Sequence, residues 1–523
     1  YLYFFVIILY GRQVFCLLVA YQKGWRYRSN NAMGKNPNNY THIFKYTGVF
    51  GGIQGLNILV GLVRNKLVAL LLGPQGMGLV ALFNSSVKLL NDSTNLGLPM
   101  SAVRKIADAY ENGQEADTAR MVRLVRSWCL LTALVGTLLC CCLSTVLDAW
   151  TFSWGNHVWH FVFLSPLVGL MAVTGGEMAV LKGIRQLGQL ARISVYNVLA
   201  ATALSVPIYW YFGEKGIVPS LVLVGAMQMV LTVWFSCRHF RYRVSLSLAF
   251  LSQGIDIVKL GLAFVLAGVV GSGADFLIRS WLNYHASVAM VGLFNAGYML
   301  AVTYAGMVFT ALESDYFPRL SAISAQRVEL CRLVNSQTEV SLIMITPLLV
   351  ALIVGIPILL PLLFSSKFLP VAGMIQVSAL SMFCKALYLP VEYIPLAKGD
   401  SRSYFFLELI NDVCMVTAVL VGFNFFGLKG AGYGLLTSAA VEMVVSYLYV
   451  RYKYGFILSA ALLRTIACFA PWLLAAFLLT FLQVGWAYWL IGMALMVVTS
   501  VLAARAINEK SEVWKRIKQK LGR

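Results

Sequence analysis

Residues 341–360 read SLIMITPLLVALIVGIPILL, twenty positions without a charged side chain. At about 1.5 Å of rise per residue, a helix of that length crosses the roughly 30 Å hydrocarbon core of a bilayer. Stretches of the same kind recur on both sides of it, from one end of the chain to the other. The 523 residues are 59% apolar and 12% charged, with a mean hydropathy of +0.77. A soluble chain carries about 25% charged residues. One buried core has no use for so many uninterrupted apolar runs, and in lipid a backbone must satisfy its own hydrogen bonds. The fold class is therefore all-α and membrane-integral.

From His42 onward fourteen transmembrane helices are expected, near residues 43–72, 77–97, 124–147, 157–181, 190–212, 216–237, 256–281, 287–312, 335–361, 369–397, 403–423, 429–450, 457–481 and 485–505. Several exceed twenty residues and are expected to tilt or protrude. The net charge of +20 falls in short clusters between spans, which argues against a nucleic-acid partner. Arg104, Lys105, Arg120, Arg123 and Arg126 surround the second–third connection. Further clusters follow the fourth, sixth, eighth, tenth and twelfth spans and fill the tail. The alternate connections hold few cations, Lys215, Lys367 and Lys429 being the clear ones. Lysine and arginine favour the cytoplasmic side. This places the basic set and both termini in the cytoplasm of a multi-pass inner-membrane protein. The opposite loops are short, as in GPQGMG at 73–78, and leave no room for an outer domain.

The sequence opens on Tyr1, and residues 1–20 are apolar apart from Arg12. The expectation is an upstream start assignment, with translation beginning at Met33; an extra helix or a signal-like stretch is the alternative. The ten cysteines and five histidines show no metal-ligand spacing, and the cysteines read as small apolar packing residues. No metal site, catalytic residue or bound cofactor is expected.

The chain also repeats itself. Lys45 and Arg64 in the first span match Lys259 and Arg279 in the seventh. Val80-Ala-Leu-Phe-Asn84 matches Val291-Gly-Leu-Phe-Asn295, and Glu177 with Lys182 matches Glu392 with Lys398. The offsets of these five matches are 214, 215, 211, 215 and 216 residues, a spread that a loop insertion explains. Two parallel six-helix repeats followed by two C-terminal helices are expected, a transporter architecture with a cavity between its lobes. The expected divisions are an N-terminal extension (1–41), an N-lobe of helices one to six (42–240), a linker (241–255), a C-lobe of helices seven to twelve (256–455), helices thirteen and fourteen (456–506) and a basic cytoplasmic tail (507–523).

Several short motifs resemble one family. Leu70-Leu-Leu-Gly-Pro-Gln-Gly-Met-Gly78 resembles the junction of the first two helices in polysaccharide flippases of the MATE-like multidrug/oligosaccharidyl-lipid/polysaccharide (MOP) exporter superfamily. Val291-Gly-Leu-Phe-Asn-Ala-Gly-Tyr298 resembles the eighth-helix signature, and Phe317-Pro-Arg-Leu-Ser321 the loop after it. Leu363-Phe-Ser-Ser-Lys-Phe368 and Leu396-Ala-Lys-Gly399 resemble later junctions. Their order and spacing cover residues 42–455. The resemblance is strongest to the O-antigen and enterobacterial common antigen group. It implies a flippase that turns undecaprenyl-pyrophosphate-linked oligosaccharide, such as an O-antigen or capsule repeat unit, from the cytoplasmic to the periplasmic leaflet. It implies membrane lipids, the polysaccharide polymerase and the glycosyltransferases of the same pathway as partners. It also implies a cavity lined largely by spans one, two, seven and eight.

Such a substrate needs cations for its pyrophosphate, and arginine offers a two-pronged donor. Charges inside spans tend to face the interior. The in-span cations are Arg64, Lys66, Lys88, Arg279 and Lys385, with Arg64, Lys88 and Arg279 the first choices for phosphate contact. The structural alternative is local neutralisation, since Lys88 and Asp92, and Asp275 and Arg279, stand at i,i+4. Asp92 and Asp275 are the candidates for a coupling proton or sodium ion. Glu177 and Glu392 are expected to pair with Lys182 and Lys398. No G-x-x-x-x-G-K-[ST] loop is present, so nucleotide hydrolysis is not expected as the driving force. Competing readings are a drug or metabolite exporter of the same superfamily, a membrane-embedded polysaccharide polymerase or ligase, and a non-transporting scaffold.

Overall fold

Glycine and proline set where the long helices bend. The computed structural model describes residues 39–111, 115–482 and 484–510. The expected extension up to residue 38 and the tail beyond 510 lie outside the described residues. Residues 47–510 form one compact unit; of a second unit, 1–46 with 511–523, only helical residues 39–46 are described. The described residues contain helices, turns and loops and no strand.

Helix α1 (Asn39–Thr94) bends at Gly73, whose φ of 63° lies in the left-handed region, and Pro74 opens its second arm. Then come α2 (Leu98–Glu111), α3 (Glu115–Cys142), the short α4 (Ser144–Thr151), α5 (Val158–Gly183), α6 (Leu187–Phe212) and α7 (Ile217–Cys237). Residues 241–247 carry no regular structure and lead into a short helical stretch. The second half holds α8 (Ile255–His285), α9 (Val288–Tyr298), α10 (Ala305–Ala322), α11 (Arg327–Leu363), α12 (Ala372–Ala397), α13 (Ser401–Tyr454), α14 (Ala460–Leu479) and α15 (Trp486–Lys510). Side-chain caps start three of them: Ser287 accepts from Met290 N, Asp400 from Ser403 N and Ser459 from Leu462 N. Helix α13 bends at Gly427 (φ 58°, ψ −142°). Gly213, between α6 and α7, has nearly the same backbone (φ 55°, ψ −134°). These two glycines are separated by the spacing of the sequence repeat.

Ten helices among the described residues are long and apolar enough to cross a membrane by length and composition, against fourteen expected spans. The difference arises partly because three run on through a bend, at Gly73, at Gly213–Gly216 and at Gly427. Two helices were not foreseen. The basic second–third connection is largely helical as α2, and α4 follows the third span. A π-turn at Met299–Tyr304 joins α9 to α10, a local widening of the helix of a kind that is frequent at functional sites.

One apolar core crosses both halves at the short-loop end. Leu82 and Phe83 of α1, Phe161 of α5, Leu282 of α8, Val291 and Phe294 of α9, and Leu360 of α11 belong to it, all buried. At the basic-loop end the cores are separate. Ile106, Val125 and Val180 centre one, and Leu330, Val391 and Val450 the other. Helices α14 and α15 pack on α11 through Phe469, Leu473 and Tyr488, and the Tyr488 hydroxyl donates to the Val354 carbonyl at 2.9 Å.

Candidate functional site

Between the two ends lies a cavity of about 290 Å³. It is walled by both arms of α1, by α6, by α8 and by the α9 segment that runs into the π-turn. Close backbone approaches bound it. On the short-loop side a Cβ at Gly78 would collide with the Val288 carbonyl oxygen, and one at Gly292 with that of Pro74. On the basic-loop side Gly97 and Gly261 meet in the same way. Only glycine lets helices of opposite halves come this near.

Three cations line the cavity: Arg64, Lys88 and Arg279. Arg64 sits on the first arm of α1 and donates through Nε to Ser205 Oγ at 3.4 Å. It has no carboxylate partner among the described residues. Arg279 on α8 is 8% exposed. Its Nη1 donates to the backbone oxygen and to Oδ1 of Asp275, each at 2.9 Å, and its Nη2 to Asn295 Oδ1 at 3.4 Å. Lys88 crosses from α1 to the same carboxylate, its Nζ lying 3.5 Å from Asp275 Oδ2. The i,i+4 pair Asp275–Arg279 therefore forms, whereas Lys88 pairs with Asp275 instead of Asp92. Packing between helices brings Asp275 to Lys88, and Asp92 is occupied by the side-chain amides of Asn91 and Asn95 at 3.2 and 3.5 Å.

Three cations against one carboxylate leave the cavity positive. Asn65, Asn84, Ser85, Asn295 and Tyr209 add neutral donors and acceptors to its wall. Asn65 Nδ2 donates to Tyr304 Oη across the halves at 2.6 Å, and the π-turn delivers Tyr304 to that contact. Such a lining can hold a phosphate through charge-assisted hydrogen bonds and a hydroxyl-rich head group through amides. These neutral residues escape a search for charges. One signal for two of them was present: Asn84 and Asn295 end the repeated pentads, as Arg64 and Arg279 are repeat partners.

The other sequence candidates lie elsewhere. Lys66 donates to the Leu362 carbonyl at 2.5 Å, on the α11 side and outside the cavity lining. Lys385 on α12 also lies outside it, among the electrostatic neighbours of Glu392 and Asp412. Asp92 is likewise absent from the lining, and Asp275 is part of it. Nor do Glu177 and Glu392 take the expected lysines. Glu177 binds Arg126 through both oxygens, at 2.7 and 3.0 Å, with both side chains nearly sealed at 1% and 2% exposure. Arg126, read from sequence as a loop charge, is a buried residue of α3 that also donates to the carbonyls of Phe240 and Arg241. Lys398 turns to the Ser324 carbonyl at 2.6 Å.

Comparison with known proteins gives a consistent outcome. The family described as "polysaccharide biosynthesis protein" matches residues 67–373. No curated protein matches the chain. Among solved structures, the chain is similar to the lipid II flippase MurJ in an inward closed conformation, with TM-score 0.64, 13% identity, 91% of this chain and 100% of that one covered. It is similar to an inward-facing multidrug resistance MATE family transporter of the MOP superfamily, with TM-score 0.63, 15% identity, and 78% and 96% covered. It is also similar to a MOP superfamily transporter from Pyrococcus furiosus, with TM-score 0.58, 15% identity, and 81% and 99% covered. At these identities the likeness concerns the fold.

Proposed function

The chain belongs to the polysaccharide biosynthesis protein family, and from that premise we propose that it is a flippase for undecaprenyl-pyrophosphate-linked oligosaccharide. It is a multi-pass membrane protein with the fold of MOP transporters. In the proposed reading it carries an O-antigen or capsule repeat unit from the cytoplasmic to the periplasmic leaflet of a bacterial inner membrane, with the basic loops and both termini on the cytoplasmic side. The polymerase of the same pathway then takes the delivered unit.

The observation that carries this reading is the positive cavity between the halves. Arg64, Lys88 and Arg279 face it against Asp275 alone. Isolated charge is costly at membrane depth. Three cations gathered around polar amides make chemical sense when an anion with a sugar head enters, while the polyprenyl tail stays in lipid. A single core spans both halves at the short-loop end; at the basic-loop end there are two cores, and the halves meet there at Gly97–Gly261 and through Ile257. Separation at the basic-loop end would admit the head group, and rocking of the halves would then reverse the seal. Cationic drugs would call for an acidic lining, so the drug-exporter reading is the weaker one.

An anion moving outward runs down an inside-negative potential, gaining about 2.3 kcal/mol per charge per 100 mV. Flipping should therefore slow when the potential is collapsed. The direct test is complementation. The chain is expressed in a bacterium lacking its own O-antigen flippase, and surface polysaccharide and accumulated lipid-linked precursor are measured. Restored surface sugar that is lost in Arg64→Ala and Arg279→Ala is the expected result. New resistance to cationic dyes without restored sugar would replace this reading with drug export.

A further inference from the structure

At the short-loop end, the corner between α4 and α5 is built around one buried histidine. His157 holds the N-cap position of α5, outside the span, and is 8% exposed. Its backbone N–H donates to Asp148 Oδ1 of α4 at 3.1 Å, and its Nδ1 stands 3.6 Å from the same oxygen. The ring is stacked on Phe152, with centroids 4.1 Å apart and planes inclined by 19°, and Trp154 meets it edge-on at 4.7 Å. The loop closes over the ring at Gly155, whose φ is 71°; a Cβ there would lie 2.8 Å from His157 Cε1. His157 Nδ1 is buried without a hydrogen-bond partner.

This corner joins the two halves. Phe152 belongs to the apolar core that both halves share, and it packs on Phe83 of α1 and Phe161 of α5. Thr151, the last residue of α4, is fully buried. Its Oγ1 lies 3.4 Å from Ser86 Oγ of α1, and its carbonyl accepts from Asn283 Nδ2 of α8 at 2.7 Å. Asn283 is itself 4% exposed, and its Oδ1 has no partner. The bond from Asn283 thus ties the second half to a corner whose neighbouring side chain, Phe152, is the one the histidine stacks on.

Imidazole is the side chain whose charge ordinarily changes between pH 5 and 8. The titratable groups facing His157 are His160 on α5, its ring centroid 5.3 Å away, and Asp148 on α4. Helices α1 and α8 reach the corner through uncharged Phe83, Ser86 and Asn283. Burial, and then the second imidazole, hold His157 below the ordinary histidine range, while Asp148 opposes them. The neutral ring suits its place between two aromatic side chains. A proton would put a cation there, beside another histidine and beyond hydrogen-bond reach of the one carboxylate. To gain Asp148 or water, the charged ring has to slide off Phe152.

We propose that His157 is a pH-sensitive latch of the short-loop end: neutral, it keeps the α4–α5 corner closed, and protonated, it leaves Phe152 and loosens the Thr151–Asn283 bond between the halves. The sign follows from linkage. A base that is harder to protonate in the closed corner favours closure while it is neutral. That advantage is lost as pH falls below about 6.5, the value of a hydrated histidine. The latch goes beyond the flippase reading and takes from it only the compartment whose acidity is sensed, the one outside the short-loop end.

Hydrogen exchange of the purified full-length chain in detergent, followed by mass spectrometry, tests the latch without any substrate. Labelling times are rescaled for the intrinsic pH dependence of exchange, and two pH values are compared, about one unit above and one unit below 6.5. In the unsubstituted protein the amides of 149–157 and of the last turn of α8 are expected to exchange several-fold faster at the lower pH. His157→Phe keeps the stack and takes no proton, so its exchange should stay slow at both values. His157→Gln should exchange at one rate at both, and His160→Gln should keep the acid response. An unsubstituted protein indifferent to pH would overturn the proposal. So would an acid response that survives in His157→Phe or His157→Gln, or one that disappears in His160→Gln. None of these outcomes bears on the flippase reading, which complementation decides separately.

Discussion

Glu177 and Glu392 occupy matching places in the two repeats, 215 residues apart, and their surroundings are opposite. Glu177 receives both prongs of Arg126, and the same guanidinium holds the carbonyls of Phe240 and Arg241 at the start of the connection between the halves. Glu392 has no arginine. Its neighbours are three more acids and Lys385, and one of its oxygens is left without a partner. One repeat has made the position a fixed clasp. The other has kept it polar, buried and without a partner for one oxygen. Duplicated helices can thus share a backbone while one copy clasps its neighbours and the other leaves a buried carboxyl without an ion pair.

That contrast can be broken experimentally, and the largest effect should fall on the clasp. Arg126→Ala leaves Glu177 buried and uncompensated, a loss of about 3–5 kcal/mol, to be read as a marked drop in thermal unfolding temperature in detergent. Glu392→Gln replaces a carboxyl that makes no ion pair among the described residues by an isostere and should move that temperature far less. Equal losses in the two variants would erase the distinction. Next in size is Arg279→Ala. Losing charge-assisted hydrogen bonds worth about 1.5–3 kcal/mol should slow flipping roughly 10- to 100-fold in vesicles. Lys66→Ala should change flipping by less than about twofold, because Lys66 only bonds the Leu362 carbonyl at the protein surface.

The smallest effect is pH-dependent. Lys453 Nζ at 2.6 Å, with Tyr454 and Ser403, holds the Asp400 carboxyl well below the usual aspartate range. A carboxyl depressed on folding adds stability above its unfolded pKa, about 3.9, and the gain disappears as pH falls through the folded value. Asp400→Asn should therefore lower the unfolding temperature slightly at neutral pH, and the gap to the unsubstituted protein should close in acid. A gap that persists there would mean that the aspartate acts through something other than its charge.

Much of the fold was legible because lipid imposes simple rules. Twenty uncharged residues in a row declare a helix, and matched offsets between Arg64 and Arg279 or Asn84 and Asn295 declare a repeat. The same repeat pointed to residues that now share one cavity. What the sequence concealed was pairing across helices. Spacing within a helix suggested Lys88 with Asp92 and Glu177 with Lys182, yet packing set Lys88 against Asp275 and Glu177 against Arg126. Arg126 stands in a run of basic residues, and nothing in that run marks the one that turns inward. Lys66 is two residues from Arg64, so a different helix face carries it away from the cavity to α11. The π-turn at Met299–Tyr304 has no clear sequence signal, although it sets Tyr304 against Asn65.

In the proposed function this cavity carries a pyrophosphate-linked sugar across the membrane. The most direct measurement reconstitutes the purified chain in vesicles loaded with undecaprenyl-pyrophosphate-linked oligosaccharide, then follows the arrival of the sugar at the opposite leaflet under an imposed potential. The expected result is transfer that quickens with the potential and falls steeply in Arg64→Ala and Arg279→Ala, while Lys66→Ala keeps pace with the unsubstituted protein. Transfer that ignores both arginines would contradict it.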